Sequence, residues 1–221
     1  MRAYFAVPTW RSSFLRASAV ILGLALGASL AVPALAQDES ARQDNGWAQP
    51  PADLPPVAHG DPMSDLDTLF KALKIAPDDQ SAKLIENRIW AVWTISGSDT
   101  CNLLMARVKA AEEAKDYDLA LKLLDAVIEI NPDYVEAWNE RATIYYAKND
   151  YAHAISDLGE VLAREPRHFG ALSGLGLMLQ EIGDDKDALE AYRDALAIDP
   201  HLEHASDAVR ELTQKVDGRN I

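Results

Sequence analysis

Three prolines divide the second half of the chain at a fixed interval. Pro132, Pro166 and Pro200 each follow an asparagine or an acidic residue, and successive prolines lie 34 residues apart. Proline cannot continue a helix, and it pushes the preceding residue out of helical geometry. A break that recurs at this interval indicates an array of stacked helical units, because one such unit cannot bury its apolar face alone.

The residues between these breaks repeat in register when the blocks 101–134, 135–168 and 169–202 are stacked without a gap. Small residues at fixed positions let the two helices of one block approach closely, so the pattern predicts an all-α fold of antiparallel helix hairpins. The positions that coincide include Ala120, Ala154 and Ala188; Leu104, Trp138 and Leu172; Val108, Ala142 and Gly176; Leu124, Leu158 and Tyr192.

Each block is predicted to contain two helices, because its apolar residues recur at helical spacing on both sides of a polar break. The first helices are predicted at residues 104–113, 138–147 and 172–181, and the breaks that follow them are Lys115-Asp116, Asn149-Asp150 and Gly183-Asp184. Trp138 and Tyr145 are expected to fill the space beside the small residues. Replacing a buried Trp138 by alanine would then cost about 3–5 kcal/mol.

Both flanks of the array are predicted to cap it. Residues 63–100 keep parts of the pattern, but Pro77 falls where the first helix should close and Glu86 replaces the alanine. We interpret this segment as a degenerate repeat that serves as the N-terminal cap. Residues 203–221 are predicted to form a C-terminal capping helix and tail, with one apolar stripe made of Ala205, Val209, Leu212 and Val216.

The first 36 residues have the features of a secretory signal peptide. Three arginines precede an uncharged apolar stretch, which ends in the small-x-small triplet Ala34-Leu35-Ala36. The alternative is an uncleaved anchor, because residues 17–36 are about long enough to span a bilayer. The sequence thus predicts export, and a periplasmic or secreted protein after cleavage near Ala36. Residues 37–62 are rich in proline and are predicted to be a disordered linker.

The charge of the chain constrains its partners. The predicted signal peptide contains three of the 21 Lys and Arg residues and none of the 35 Asp and Glu residues. Without it the chain carries 18 basic and 35 acidic residues, a net charge of −17. A surface this negative repels phosphate backbones and anionic lipids. Nucleic acids and membrane surfaces are therefore not expected as partners, whereas a basic or apolar protein segment is.

The sequence contains no motif that would support catalysis. Gly-x-Ser-x-Gly, a P-loop and His-Glu-x-x-His are absent, so no catalytic, cofactor or metal residue is assigned and an enzyme is not expected. A zinc site at His168, His201 and His204 would need a fourth ligand, and we interpret these residues as surface histidines near helix ends. Cys101, the only cysteine, is interpreted as a semi-buried thiol without a chemical role.

Residues 101–202 resemble the tetratricopeptide repeat (TPR) family, whose 34-residue pattern combines a large residue, Leu-Gly, Tyr, Ala, an aromatic residue, Ala and Pro. The matching residues are Trp138, Tyr145, Ala154 and Pro166 in the second block, and Leu175, Gly176, Ala188, Tyr192, Ala195 and Pro200 in the third. Arg107 and Arg141 stand where the family usually has leucine. The resemblance implies a right-handed superhelix whose first helices line a concave groove for extended peptides or partner segments.

The resemblance also implies a set of groove residues, one group on the first helix of each block. These candidates are Asn102, Met105, Lys109 and Glu112; Glu136, Asn139, Thr143 and Tyr146; and Gly170, Ser173, Leu177 and Gln180. Some TPR domains clamp a peptide carboxylate with Lys, Arg and Asn, but here only Lys109 and Asn139 could contribute. The predicted function is a non-enzymatic interaction adaptor. The alternative is a structural subunit in which Trp90, Trp93 or the terminal helix packs against another copy.

Overall fold

The computed structural model describes residues 50–51, 53–56 and 65–218. The predicted signal peptide and most of the predicted linker lie outside these ranges. Within them, no helix is both long and apolar enough to cross a membrane. The nine helices of the described ranges are α1 (Leu66–Lys74), α2 (Asp79–Trp93), α3 (Asp99–Glu113), α4 (Tyr117–Ile130), α5 (Val135–Ala147), α6 (Tyr151–Arg164), α7 (Phe169–Glu181), α8 (Asp185–Ile198) and α9 (Glu203–Gly218).

Helices α3 to α8 form three antiparallel hairpins, and each hairpin stacks on the next through α4 against α5 and α6 against α7. The predicted breaks within the hairpins are confirmed. An aspartate caps the start of each second helix by accepting a hydrogen bond from a backbone N–H three residues on: Asp116, Asp150 and Asp184. The residue before each aspartate has a positive φ, as a left-handed helix end requires: Lys115, Asn149 and Gly183.

Positions 34 residues apart lie at equivalent buried sites, which confirms the repeat pattern. The alanines Ala120, Ala154 and Ala188 are fully buried, and so are the large residues Leu124, Leu158 and Tyr192. The third repeat needs a compensating change, because Tyr192 is bulkier than leucine. A Cβ atom on Gly176 would lie 2.9 Å from three atoms of the Tyr192 ring, so only glycine fits opposite this ring without a shift.

The side chain of Trp138 is half-buried rather than fully buried, so the expected core position is wrong. Its indole Nε1–H donates to the backbone oxygen of Pro132 at 2.9 Å. The guanidinium carbons of Arg141 and Arg164 lie 4.8 and 4.9 Å from the ring centroid. Trp138 therefore forms a cation–π contact at the surface of the array, and its removal should cost less than the 3–5 kcal/mol of a buried tryptophan.

Arg141, which departs from the family leucine, joins three helices by ion pairs. Its Nε and Nη2 atoms donate to the two carboxylate oxygens of Asp157 on α6 at 2.7 and 2.8 Å. Its Nη1 atom donates to Asp125 on α4 at 2.7 Å. Because Asp157 is buried, this bidentate pair satisfies a carboxylate that would otherwise be costly to bury.

The C-terminal helix α9 packs against α8. Its stripe contains the predicted Ala205 and Leu212, which are buried, together with Ala208, while Val209 and Val216 are half-buried. The remaining face of α9 carries charged side chains. A helix with one apolar face and one charged face is what the end of a stacked array requires.

The N-terminal hairpin α1–α2 lies against the third repeat. Phe70, Trp90 and Trp93 form an apolar cluster with Phe169 at the start of α7, and α1 also contacts α8. Leu103 on α3 is 65% exposed, whereas its equivalents Ala137 and Ala171 are fully buried by the preceding hairpin. The hairpin thus occupies a different place from the one that a preceding repeat would take.

Two ion pairs and a short segment of the predicted linker accompany this packing. Arg167 pairs with Asp67 at 2.6 Å, and His201 lies 2.7 Å from Asp79. Leu54 packs against the apolar cluster, and Arg88 donates to the backbone oxygen of Pro56 at 3.0 Å. This part of the predicted linker therefore contacts the hairpin.

Candidate binding surface

The predicted groove residues differ in how much surface they expose. Asn102 and Lys109 are exposed, and Met105, Glu112, Leu177 and Gln180 are half-buried. The remaining ones are buried: Glu136, Asn139, Thr143, Tyr146, Gly170 and Ser173. The accessible members of the set therefore lie on α3 and on the last turns of α7, and all four candidates on α5 are buried. Their role in binding stays a prediction.

The buried polar residues of α5 hold one another in place. The Asn139 amide donates to Glu136 at 3.2 Å, and the Thr143 hydroxyl donates to the backbone oxygen of Asn139 at 3.1 Å. Tyr146 donates through its hydroxyl to Glu181 on α7 at 2.9 Å. These contacts fix the orientation of the side chains that line the middle of the array.

His168 is fully buried, so its interpretation as a surface histidine is wrong. Its Nδ1 atom accepts the backbone N–H of Ala171 at 3.0 Å and thereby caps α7. The ring hydrogen must then lie on Nε2, which donates to Glu136 at 3.1 Å. The ring of Trp93 stacks on the imidazole with 4.1 Å between centroids and 6° between planes. His168 thus links the hairpin, the second repeat and the third repeat.

The other candidate metal ligands are separated by their contacts. His201 faces Asp79 and the backbone oxygen of Ala76, and His204 lies against the ring of Tyr192. Across the part of the chain that the structure describes, no group of three His, Cys, Asp or Glu side chains could hold a metal ion. Cys101 is fully buried rather than half-buried.

Three glutamates, Glu112 on α3 with Glu136 and Glu140 on α5, form what we call the acidic cluster. Burial raises the pKa of Glu140 well above its usual value, and the charges of Glu112 and Glu136 raise it further. Burial is also the main reason why the pKa of Glu112 rises to about 7. The exposed Lys109 acts on both carboxyls in the opposite direction. At neutral pH the cluster therefore holds protons that glutamates in water would release.

No motif in the sequence predicted a role for Glu140. The one available signal is its position in the repeat, since the equivalent residues of the other two blocks are Ala106 and Gly174. An ionisable residue at a site where its counterparts are small is unusual in an array. Its buried environment could not be read from the repeat alone, because it depends on the packing between neighbouring hairpins.

The exposed end of the first repeat, which consists of α3 and α4, forms a second candidate surface. A depression of about 240 Å³ there is lined by residues of α3, α4 and their connection: Arg107, Ala110, Ala111, Ala114, Asp116, Leu119 and Leu123. Leu119 is 40% exposed. By contrast Trp90 and Trp93, which the sequence suggested for self-association, are buried within the chain. A contact with another copy through these two tryptophans is therefore wrong for this arrangement of the hairpin.

Three helix hairpins stacked in register define a superhelical α-solenoid. The tetratricopeptide repeat sequence model matches residues 105–161 and 140–203. A TPR repeat-containing protein of Rhizobium etli is 42% identical over 161 residues, which cover 73% of this chain and 79% of that protein. The chain therefore belongs to the tetratricopeptide repeat family. The small glutamine-rich tetratricopeptide repeat-containing protein 2 of Mycosarcoma maydis is 31% identical over 45% of this chain and 28% of its own length.

Solved structures show the same fold at lower sequence identity. The first TPR domain of Spaghetti (RPAP3), described as bound to the HSP90 peptide SRMEEVD, superposes with a TM-score of 0.52 at 20% identity. That match covers 54% of this chain and 95% of the RPAP3 domain. The Sgt2 TPR domain of Aspergillus fumigatus has a TM-score of 0.51 at 23% identity and covers 56% and 83%. The family and the fold together support a protein–protein interaction scaffold.

Proposed function

We propose that this protein is an exported adaptor that binds an extended segment of another protein along the first helices of its three repeats. The observation that carries the proposal is the in-register stacking of the three hairpins, in which α4 packs against α5 and α6 against α7, so that α3, α5 and α7 hold equivalent places in successive repeats. A preformed surface of this kind binds without a large ordering cost. Its accessible residues combine hydrogen-bonding groups, such as Asn102 and Gln180, with the apolar Met105 and Leu177.

The charge of the surface favours a basic or apolar partner. The peptide bound by the RPAP3 domain contains acidic residues near its end, whereas the candidate face here offers a single basic side chain, Lys109. An acidic segment would meet a chain with a net charge of −17 beyond the predicted signal peptide. Like charges disfavour such an encounter.

Site-specific photocrosslinking in the native cell tests this proposal. A photoreactive amino acid at Met105 or Leu177 should capture the same partner, because both positions lie on the proposed face. Matched controls at Glu129 and Glu190, which are exposed on the second helices, should not capture it. Equal capture from all four positions would contradict binding along the first helices.

Export is the second part of the proposal and rests on the N-terminal sequence, from its three arginines to the triplet at Ala34–Ala36. Cell fractionation combined with N-terminal sequencing tests it. The expected result is an extracytoplasmic protein that begins at Gln37. Recovery of the intact N-terminus in the membrane fraction would indicate an anchor, and recovery in the cytoplasm would exclude export.

Self-association through the exposed end of the first repeat, α3–α4, is a second candidate function. It is favoured by Leu103, which is exposed at a position that is buried in both other repeats. Sedimentation of the purified protein should then show a dimer that Leu103→Glu dissociates. A monomer at all concentrations would exclude this candidate and leave the adaptor proposal intact.

A further inference from the structure

Glu140 points into the acidic cluster without a partner of its own. Its side chain is only 9% exposed, and its Oε2 atom makes no hydrogen bond in the described part of the chain. Glu136, one turn earlier on α5, is in a different situation, since it accepts hydrogen bonds from Asn139 and His168. Glu140 therefore brings a buried carboxyl oxygen to the cluster that no donor of the described residues meets.

A purely structural role does not account for this arrangement. A buried carboxyl without a partner is costly to ionise, and further carboxyls beside it increase that cost. Glutamine would keep the shape of the side chain and remove the repulsion. The alanine and glycine at the equivalent positions of the other repeats show that the fold itself does not require an acid there. Unsatisfied groups of this kind are concentrated at functional sites.

We propose that the acidic cluster is the binding site for one lysine or arginine side chain of the extended partner, with Glu112 and Glu140 as the carboxylates that receive its charge. The inference rests on the proposed function and specifies the chemistry of that partner. Glu112 is half-buried and Glu140 is buried, so Glu112 is the more accessible of the two carboxyls. Lysine and arginine carry their charge at the end of a long stem, so they reach a carboxyl that a short side chain would not.

The cationic ligand explains each feature of the cluster. A positive group beside the two carboxyls replaces their mutual repulsion with attraction and favours the ionised form of both. The charge of Lys109 lowers the pKa of both residues, although the Lys109 side chain is exposed. A bound cation would lower the pKa of both residues in the same direction. A metal ion does not fit, because no three ligating side chains of the described ranges converge suitably.

Selection from a displayed library of random nine-residue peptides tests the inference with the full-length protein. The wild-type protein should enrich peptides that share a lysine or arginine at one position. Glu140→Gln, which keeps the size of the side chain, should lose that preference. Glu129→Gln serves as the control, because it makes the same substitution at an exposed site on α4.

The outcomes distinguish failure of the inference from failure of the proposed function. If the wild-type protein selects no peptides at all, the proposed function fails together with the inference. If it selects peptides without a shared basic residue, or if Glu140→Gln retains the basic preference, only the inference fails. For a selected peptide, Glu140→Gln should weaken binding at least tenfold, and replacing its basic residue by norleucine should weaken wild-type binding to the same extent.

Proton release provides a readout that a structural role would not change. A bound cation favours the ionised carboxylates, so binding near pH 7 should release protons. The groups that face the site are Glu112, Glu113 and Lys109 from α3, Glu136 and Glu140 from α5, Tyr134 just before α5, and His168, which contacts Glu136. Calorimetry in two buffers of different ionisation enthalpy should show proton release for the wild type and less for Glu140→Gln. Equal release from both proteins would overturn the assignment.

Discussion

The three repeats and the N-terminal hairpin are both built from paired helices, but they are held in place differently. Each repeat packs on the next through residues at fixed positions, and those contacts join segments close in sequence. The hairpin docks through one aromatic cluster and ion pairs between distant residues, such as Asp67 with Arg167 and Asp79 with His201. A single interface of this kind can open without unfolding the array, so the hairpin should be the less protected region.

The largest expected effect comes from Trp93→Ala, which should release the hairpin. Trp93 is buried against His168 and Phe169, and loss of a buried tryptophan costs about 3–5 kcal/mol. Hydrogen exchange should show faster exchange in α1 and α2, with α5 to α8 unchanged. The control Leu84→Ala removes an exposed side chain from α2 and should leave the exchange as it is. Uniform loss of protection across the array would contradict a separable hairpin.

Arg141→Met should destabilise the array itself by about 2–4 kcal/mol, because it leaves the buried Asp157 without its bidentate partner. Burial already raises the pKa of Asp157, an effect that Arg141 partly offsets. Asp125→Asn is the matched control, since it breaks the other, exposed ion pair of the same arginine and should cost below about 1 kcal/mol. Equal midpoints for both variants in urea unfolding would show that burial of Asp157 does not matter.

Gly176→Ala should destabilise the third repeat by about 1–3 kcal/mol, because the added methyl group collides with the Tyr192 ring. The control is Gly159→Ala in α6, where a Cβ atom meets no neighbour within 4 Å. That substitution should stabilise the protein by up to about 1 kcal/mol through helix propensity. Thermal unfolding distinguishes the two, and the same sign of change in both variants would refute the tight contact.

The smallest effect is a pH dependence of hairpin docking. The hydrogen bond to Asp79 raises the pKa of His201 above its usual value, so the docked state favours the protonated ring. Docking is then strongest below about pH 6.5 and weakens as the pH rises through the raised pKa. Asp199 contributes at lower pH, because burial raises its pKa to about 6. Asp199 still loses part of its proton above pH 6.5, so a comparison of pH 6.5 with pH 8 needs a variant without the histidine to separate the two groups.

Hydrogen exchange of α1 and α2 at these two pH values is the measurement, after correction for the intrinsic exchange rate. The wild-type hairpin should be less protected at pH 8, and this difference should be smaller in His201→Gln. If the variant keeps the full pH dependence, another group is responsible.

The array could be predicted from the sequence because its determinants are local and repeated. The caps at Asp116, Asp150 and Asp184 and the buried alanines follow from residue types at a fixed spacing. The location of the hairpin did not follow, because it depends on contacts such as Trp93 with His168 that belong to no repeat. Pro77 and Glu86 only indicated that this segment departs from the pattern.

The sequence predicted which positions form the candidate site, but it did not predict how deeply each of those side chains is buried. The family pattern identified residues of the first helices, including Lys109 and Glu136, but not which of them are accessible. Burial depends on packing between hairpins, which the pattern of one repeat does not contain. The same limit explains why His168 was expected at the surface, although it is enclosed between Trp93 and Glu136.

The pairing of Gly176 with Tyr192 restricts how this chain can change over generations. If leucine replaced the tyrosine, as at the corresponding points of the other two hairpins, a void would open beside the glycine. If alanine replaced Gly176 first, its methyl group would clash with the Tyr192 ring. Neither substitution is neutral on its own, so residues 176 and 192 should change together in related sequences. The third repeat should therefore diverge from the other two repeats through paired substitutions at these positions.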